Sequence, residues 1–319
     1  TQHSALSTQH SALSTQHSAL STQHSNTMPD LTLLKHLVCE AFSRTTPPRE
    51  PEPSMLMDDP AQVAAFARAG REDGVIGQIY LLNSVQLCEL IRPGDAVVDL
   101  ACGPATQLAQ VARLNPQADF LGVDLAPSML ADAQTHIATL GLSNVRLALG
   151  DITQLTALAD ASADVVMSTF SLHHLPDAAA LARCFAEVRR ILKPGGRVYL
   201  SDFGRLKRAA TMHFMAHRSA AEQGALFTTD YHNSLRAAFA VAEFRAALPL
   251  LGAGVRLYPS PLAPFMVIIR SAALHPVPAA AHASLRTLWR ALPAAQQGDF
   301  EELRDCFKMK FLAIPALHK

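Results

Sequence analysis

Val97-Val98-Asp99-Leu100-Ala101-Cys102-Gly103-Pro104-Ala105-Thr106 decides the fold of this chain. An apolar run rich in β-branched residues ends in a carboxylate, passes through small residues and opens directly into a helical pattern. Small residues at such a turn let backbone approach a ligand and let the helix pack closely on its strand, and a carboxylate at the strand end can hold an ammonium group. The next β-rich run closes Leu121-Gly122-Val123-Asp124, placing an acid about 20 residues beyond Gly103, the separation at which a carboxylate reaches ribose hydroxyls. A third ends Gly150-Asp151-Ile152, offering an acceptor oxygen for an adenine amino group beside an apolar neighbour.

Working outward, strands are predicted near 96–101, 119–125, 145–150, 164–170 and 197–203, alternating with helical patterns. Such alternation specifies a parallel sheet covered by helices. Two further runs, 254–259 and 264–270, flank a turn at Ser260-Pro261 and read as an antiparallel hairpin closing one edge. The fold class is therefore α/β: a doubly wound, mostly parallel seven-stranded sheet with an antiparallel edge hairpin and helical additions at both ends. Residues 28–92 read as helices and a Pro-rich connector, 93–271 as the main domain with a lid near 204–230, and 272–319 as a helical appendage.

The Lys and Arg count of 27 equals that of Asp and Glu, so no global field draws the chain to nucleic acid or an anionic membrane. The five cysteines are scattered and never in C-x-x-C spacing, which speaks against disulfides and zinc and for a reducing compartment. No apolar run approaches the ~20 residues needed to cross a bilayer. A cytoplasmic protein with a small-molecule partner, no metal, no nucleic acid and no membrane is the expectation; oligomeric state is not legible. Between Arg189 and Arg218, eight basic residues face one acid, Asp202, which reads as a solvated face rather than an RNA site because aromatic interleaving is sparse.

Residues 1–25 repeat Thr-Gln-His-Ser-Ala-Leu-Ser. The same heptapeptide results from reading tandem copies of ACTCAGC through three phases, so the segment reads as a translated DNA repeat with Met28 as initiator. Without an apolar face, 1–27 is expected to be a disordered tail. A selected polar linker is the alternative.

In order and spacing, Val97 to Thr106, Gly122 to Leu130, Gly150 to Ile152, Ser168 to Asp177 and Leu192 to Asp202 together resemble class I S-adenosylmethionine-dependent methyltransferases. The resemblance implies S-adenosyl-L-methionine as cofactor. Asp99, Ala101 and Gly103 would surround its methionine part, Asp124 the ribose, and Met129, Asp151 and Ile152 the adenine, with Leu125 and Ser168 also at the site. The family's D-x-G-x-G-x-G loop carries Ala101 and Ala105 here in place of its first and third glycines. NAD is the rival cofactor, but the loop does not supply G-x-G-x-x-G.

After the fourth strand comes Ser171-Leu172-His173-His174-Leu175-Pro176-Asp177, where His173 or His174 could take a proton from an acceptor hydroxyl or amine and Asp202 could orient that imidazole. The N-P-P-Y-like signature of amide and base N-methylation is absent there, Ser168-Thr169-Phe170-Ser171 standing in its place. Met212, His213, Phe214 and His217 are expected to touch the acceptor. The function implied is methyl transfer to a small molecule; the alternative is a cofactor-binding domain that senses or assembles without turnover.

Overall fold

The computed structural model describes residues 31–52, 59–69, 74–309 and 312–318. The heptapeptide repeat expected to form a disordered tail lies outside them. Seven strands form one sheet: β1 (Ala96–Leu100), β2 (Asp119–Asp124), β3 (Val145–Leu149), β4 (Ala163–Thr169), β5 (Leu192–Phe203), β6 (Val255–Pro259) and β7 (Met266–Ser271), in the order β3-β2-β1-β4-β5-β7-β6. Pairing from β3 through β5 is parallel, and β7 runs antiparallel between β5 and β6. The hairpin thus sits at the expected edge, with β7 inside and β6 outermost.

Alternate residues of the central strands feed separate cores on the two faces, as a two-residue side-chain period requires. Val97, Val165, Met167, Tyr199 and Ile268 join one core; Val98, Val166, Val198, Leu200 and Ile269 join the other. Because both faces are covered, β1 and β4 are apolar nearly throughout. On the first face lie α3 (Gly77–Leu87), α4 (Thr106–Leu114) and α5 (Pro127–Thr139); on the second, α6 (Ala178–Ile191) and α10 (Val241–Ala247). The remaining helices are α1 (Leu31–Phe42), α2 (Pro60–Ala69), α7 (Ala209–His217), α8 (Ala220–Gln223), α9 (Ala225–Ala237), α11 (Ala279–Ala291) and α12 (Ala294–Lys308).

The α3 helix is buried nearly all round, polar residues included. Asn83, Ser84 and Gln86 are bonded to the sheet and to α4, while Gln78 Oε1 is buried without a partner among the described residues: Tyr199 Oη donates to Asn83 Oδ1 at 2.7 Å, Gln86 Nε2 donates to Tyr199 Oη at 3.1 Å, and Gln107 Nε2 donates to Ser84 Oγ at 2.9 Å. Arg270, on β7, donates to both Gln86 and Glu89. A buried network with satisfied partners fixes the helix in one register. The C-terminal α11 and α12 pack on α3, and their Leu285, Phe300 and Phe307 belong to the same core as the sheet. This puts α12 over the carboxyl ends of the strands, not merely on the outside of the sheet.

β5 begins at Leu192, five residues before the run that predicted it, because Leu192 pairs with Ala163 ahead of a register shift and Gly195, at φ 76°, absorbs the irregularity. The β1–α4 turn takes the left-handed conformation at Ala101 (φ 53°), Gly103 (φ 52°) and Ala105 (φ 59°). An L-residue pays roughly 1–2 kcal/mol there, so the two alanines carry strain that glycine would not. Ala105 is fully buried in the helix-packing contact, whereas Ala101 is half-buried at the rim. Close approach is instead provided at Gly122, where an added Cβ would meet Cys102 Sγ and Leu108 Cδ2, each at 2.7 Å.

Ala101→Gly is therefore expected to raise stability by about 0.5–1 kcal/mol, the relieved strain exceeding the extra unfolded-state entropy of glycine. Ala131→Gly, on the exposed face of α5, should lower it by about 1 kcal/mol. Urea unfolding of both variants checks the opposite signs.

Candidate functional site

Two cavities open at the carboxyl ends of the strands. The first, about 110 Å³, lies where β1 and β4 diverge, the position at which open α/β sheets bind ligands. Ala101, Gly103, Asp124, Leu125, Met129, Asp151 and Ile152 are in its wall, all seven read from the sequence. Asp99 and Ser168 are not among its lining residues. Asp99 is buried beneath the turn with Oδ1 unpartnered among the described residues, and burial, reinforced by Asp124, holds its carboxyl well above the usual range. The Ser168 hydroxyl is taken up internally, donating to Leu100 O at 2.7 Å and sharing a 2.6 Å hydrogen bond with Ser171 Oγ.

The Asp124 carboxylate ties the cavity together. Oδ2 accepts from Gly103 N at 2.7 Å and Oδ1 from Ala126 N at 2.9 Å, so one side chain spans the β1–α4 and β2–α5 turns. Burial raises its pKa and these backbone donors oppose the rise. Asp151 stabilises its own turn by accepting from Thr153 N and Thr153 Oγ1 at Oδ1. The wall has room for a nucleoside beside Gly103, where an added Cβ would find only Met129 Sδ and Phe66 Cε1, both at 3.9 Å. A buried unpaired carboxyl oxygen below, an acidic side chain at the ribose position and an open backbone face fit S-adenosylmethionine.

The second cavity, about 250 Å³, adjoins the first at Phe66, Phe170 and His174, which line both. Its walls are mostly apolar: Phe203, Phe227, Tyr231 and Phe265 with aliphatic side chains from α1, α3 and α12. The expected lid contributes Met215, Arg218, Ser219, Gln223, Phe227 and Asp230, so the segment does cover this space. The four lid residues expected at the acceptor do not line it. Met212 is buried in lid packing, Phe214 stacks on His36, and His213 and His217 face outward, because the inner face of α7 is set by its contacts with α1 and α9 rather than by residue type.

His173 and His174 both reach this cavity. Asp202 is fully buried behind His173: its Oδ1 meets His173 Nδ1 at 2.7 Å and its Oδ2 accepts the His173 backbone N–H at 2.9 Å. That arrangement leaves Nε2 as the free nitrogen of His173. His174 differs. Its Nδ1 is buried without a partner among the described residues, and burial, assisted by His173 and Arg49, pushes its imidazole down to about 3, so it stays neutral at physiological pH. Asp177 ends the segment as the N-cap of α6, its Oδ1 accepting from Ala180 N at 2.7 Å.

Several residues escaped sequence reasoning. Phe170 has φ 53°, an uncommon conformation for a bulky side chain, at the end of β4 where it faces both cavities. Phe66, from α2, and Glu52, from the connector, arrive by tertiary packing alone. Half of the basic run is paired with acids: Arg190 with Glu187 and Asp160, Lys193 with Asp164, Arg197 with Asp95 and Arg205 with Glu243. All five cysteines are unpaired, and among the described residues no helix is long and apolar enough to cross a membrane.

Residues 91–239 match the sequence model of a family described as a methyltransferase domain. The chain is 31% identical over 164 residues to a ubiquinone biosynthesis O-methyltransferase of Albidiferax ferrireducens, covering 49% of this chain and 63% of that protein. It is 40% identical over 105 residues to a trans-aconitate 2-methyltransferase of Deinococcus radiodurans, covering 33% and 36% respectively. The chain thus spans less than two thirds of the length of these curated relatives. A solved structure from Methanococcus maripaludis, assigned as an S-adenosyl-L-methionine-dependent methyltransferase, superposes with a TM-score of 0.52 at 18% identity, over 70% of this chain and 97% of that one, and shares the fold.

Asp124→Ala should lower stability by about 1–3 kcal/mol by leaving the Gly103 and Ala126 N–H groups unsatisfied, and Asp124→Asn by less, since an amide oxygen can still accept one of them. Denaturant midpoints of the two variants check the order.

Proposed function

We propose that this chain is a class I S-adenosylmethionine-dependent methyltransferase, a reading supported by the methyltransferase-domain match over residues 91–239 and by the fold, and that it transfers a methyl group to a small apolar molecule held in the larger cavity. The observation that carries this reading is the shared boundary of the two cavities at Phe66, Phe170 and His174, which brings a donor pocket and an acceptor pocket into contact. Bound in the first, S-adenosylmethionine supplies an electrophilic methyl carbon on a positively charged sulfur. Asp124 would bind its ribose hydroxyls, Met129, Asp151 and Ile152 its adenine, and Ala101 and Gly103 its methionine part. Asp99 and Ser168 support the floor of this pocket from beneath.

The chain's own residues then have three tasks. Aromatic walls exclude water and hold the acceptor in line with the methyl carbon, the source of most of the acceleration in such a displacement. His173 Nε2 takes the proton from an acceptor hydroxyl or amine, while Asp202 at 2.7 Å holds the ring and stabilises the imidazolium. His174, kept neutral, shapes the passage between the pockets. The relatives named for ubiquinone biosynthesis and for trans-aconitate support a small-molecule acceptor. The unpaired cysteines support a cytoplasmic setting.

The test uses labelled S-adenosylmethionine and fractionated host extract to find an acceptor by mass spectrometry. With that acceptor, His173→Gln is expected to lower kcat by ~100-fold, Asp202→Asn to lower it in the same direction, and both to keep S-adenosylhomocysteine affinity. Asp124→Ala should show the reverse pattern, weakening affinity by roughly 10–100-fold, as loss of charged hydrogen bonds does. Full turnover in His173→Gln would leave proximity alone as the source of rate.

A further inference from the structure

The connector after α1 brings Glu52 back beside Ser234, His173 and His174, three residues that line the larger cavity. Its carboxylate and one ring nitrogen each of His173 and His174 lie within 4.8 Å of one another, and among the described residues no other trio of His, Cys, Asp or Glu is close enough to share an ion. Three independent features surround this trio. Asp202 occupies Nδ1 of His173, the relation by which a buried carboxylate orients an imidazole whose other nitrogen binds a cation. His174 Nδ1 is buried with no partner among the described residues. Glu52 accepts one hydrogen bond, from Ser234 Oγ at 2.9 Å, and no Lys or Arg among the described residues pairs with it.

The nearby cation, Arg49, is committed elsewhere. Its Nε donates to Ala237 O, Nη1 to Pro176 O, and Nη2 to His173 O and Leu175 O. Those bonds lock the backbone that presents the two imidazoles, and although the Arg49 charge is felt at Glu52 and His174, its N–H groups are spent on backbone carbonyls and it forms no ion pair with the trio.

The geometry points to a divalent first-row transition-metal ion held by Glu52, His173 and His174, with its remaining positions open to the acceptor cavity. Two imidazoles and a carboxylate suit zinc, cobalt, iron or manganese, while calcium and magnesium prefer sets made of oxygen. The acceptor class is a small molecule whose reacting group is a hydroxyl that can coordinate the ion. The inference rests on this cavity being the acceptor's and refines how the acceptor is activated. A bound ion takes the His173 lone pair that would otherwise accept the proton and replaces it by lowering the pKa of the coordinated hydroxyl. The hydroxyl proton leaves to water, the oxygen bonds to the methyl carbon, and the carbon–sulfur bond breaks with its electron pair staying on sulfur. Metal content then decides which activation operates.

The experiment titrates the chelator-treated full chain with cobalt(II), following visible absorption and bound metal, for wild type, Glu52→Gln and His174→Gln. Expected is a single cobalt per chain with a ligand-field band that zinc abolishes, and a loss of affinity of roughly 10–100-fold or more in each variant. Absence of the band, or equal binding by the variants, overturns the site. Equal binding would put the metal on other histidines, such as His3, His10, His17 and His24 of the repeat, which the variants leave intact. Since the substitutions lie on separate segments, either one that folds suffices. S-adenosylhomocysteine calorimetry on the same samples separates the two failures: binding of that ligand without cobalt overturns the metal site alone, and binding of neither overturns the methyltransferase reading beneath it.

Discussion

One carboxylate holds the ligand-binding end of this molecule together. Asp124 stands at the tip of β2 and accepts backbone N–H groups from the turn after β1 and from the turn after its own strand. Were those donors unsatisfied, two segments that must run close together would each bury an orphaned amide. With them satisfied, the β1–α4 turn is held in its left-handed sequence of Ala101, Gly103 and Ala105 although two of the three residues are strained there. The strain, the buried Asp99 below and the open backbone face at Gly103 are parts of one arrangement: a crevice whose shape is set before any ligand arrives. Preorganisation of this kind spends folding energy to avoid spending it on binding.

The second cavity is built on a different principle. Its walls come from α1, α2, α3, the lid helices and α12, segments far apart in the chain. They converge because α3 is anchored to β5 and β7 through Asn83, Gln86, Tyr199 and Arg270, and because α12 then docks on α3 through Phe300 and Phe307. A rigid buried helix thus serves as a bracket for mobile chemistry, which is how a common sheet can carry pockets of different shape.

This difference explains what could be read in advance. Ala101, Gly103, Asp124, Asp151 and Ile152 were legible because each lies at or just after a strand end, and Met129 because it stands in the first turn of the helix that follows β2; strand ends converge whenever the sheet is parallel. The pairing of His173 with Asp202 was legible for the same reason, the two residues ending neighbouring strands β4 and β5. Asp99 stands at the end of β1 too, but its carboxyl lies buried beneath the turn rather than in the cavity wall, a depth that residue type and spacing do not state. The lid shows another: Met212, His213, Phe214 and His217 alternate between packing and solvent according to which helix faces α7, and no local pattern states that. Glu52 and Phe66 had no signal at all, because their place depends on the path of a connector and a short helix. Arg190, Lys193, Arg197 and Arg205 looked like an electrostatic surface until acids distant in sequence were found beside them.

The central claim is that a donor pocket and an acceptor pocket meet at Phe66, Phe170 and His174. A crystal structure of the full chain with S-adenosylhomocysteine tests it most directly. The account predicts the ribose on Asp124 and the sulfur at the boundary of the two cavities, facing His174. A ligand whose sulfur lies away from that boundary, or whose ribose leaves Asp124 untouched, would contradict it.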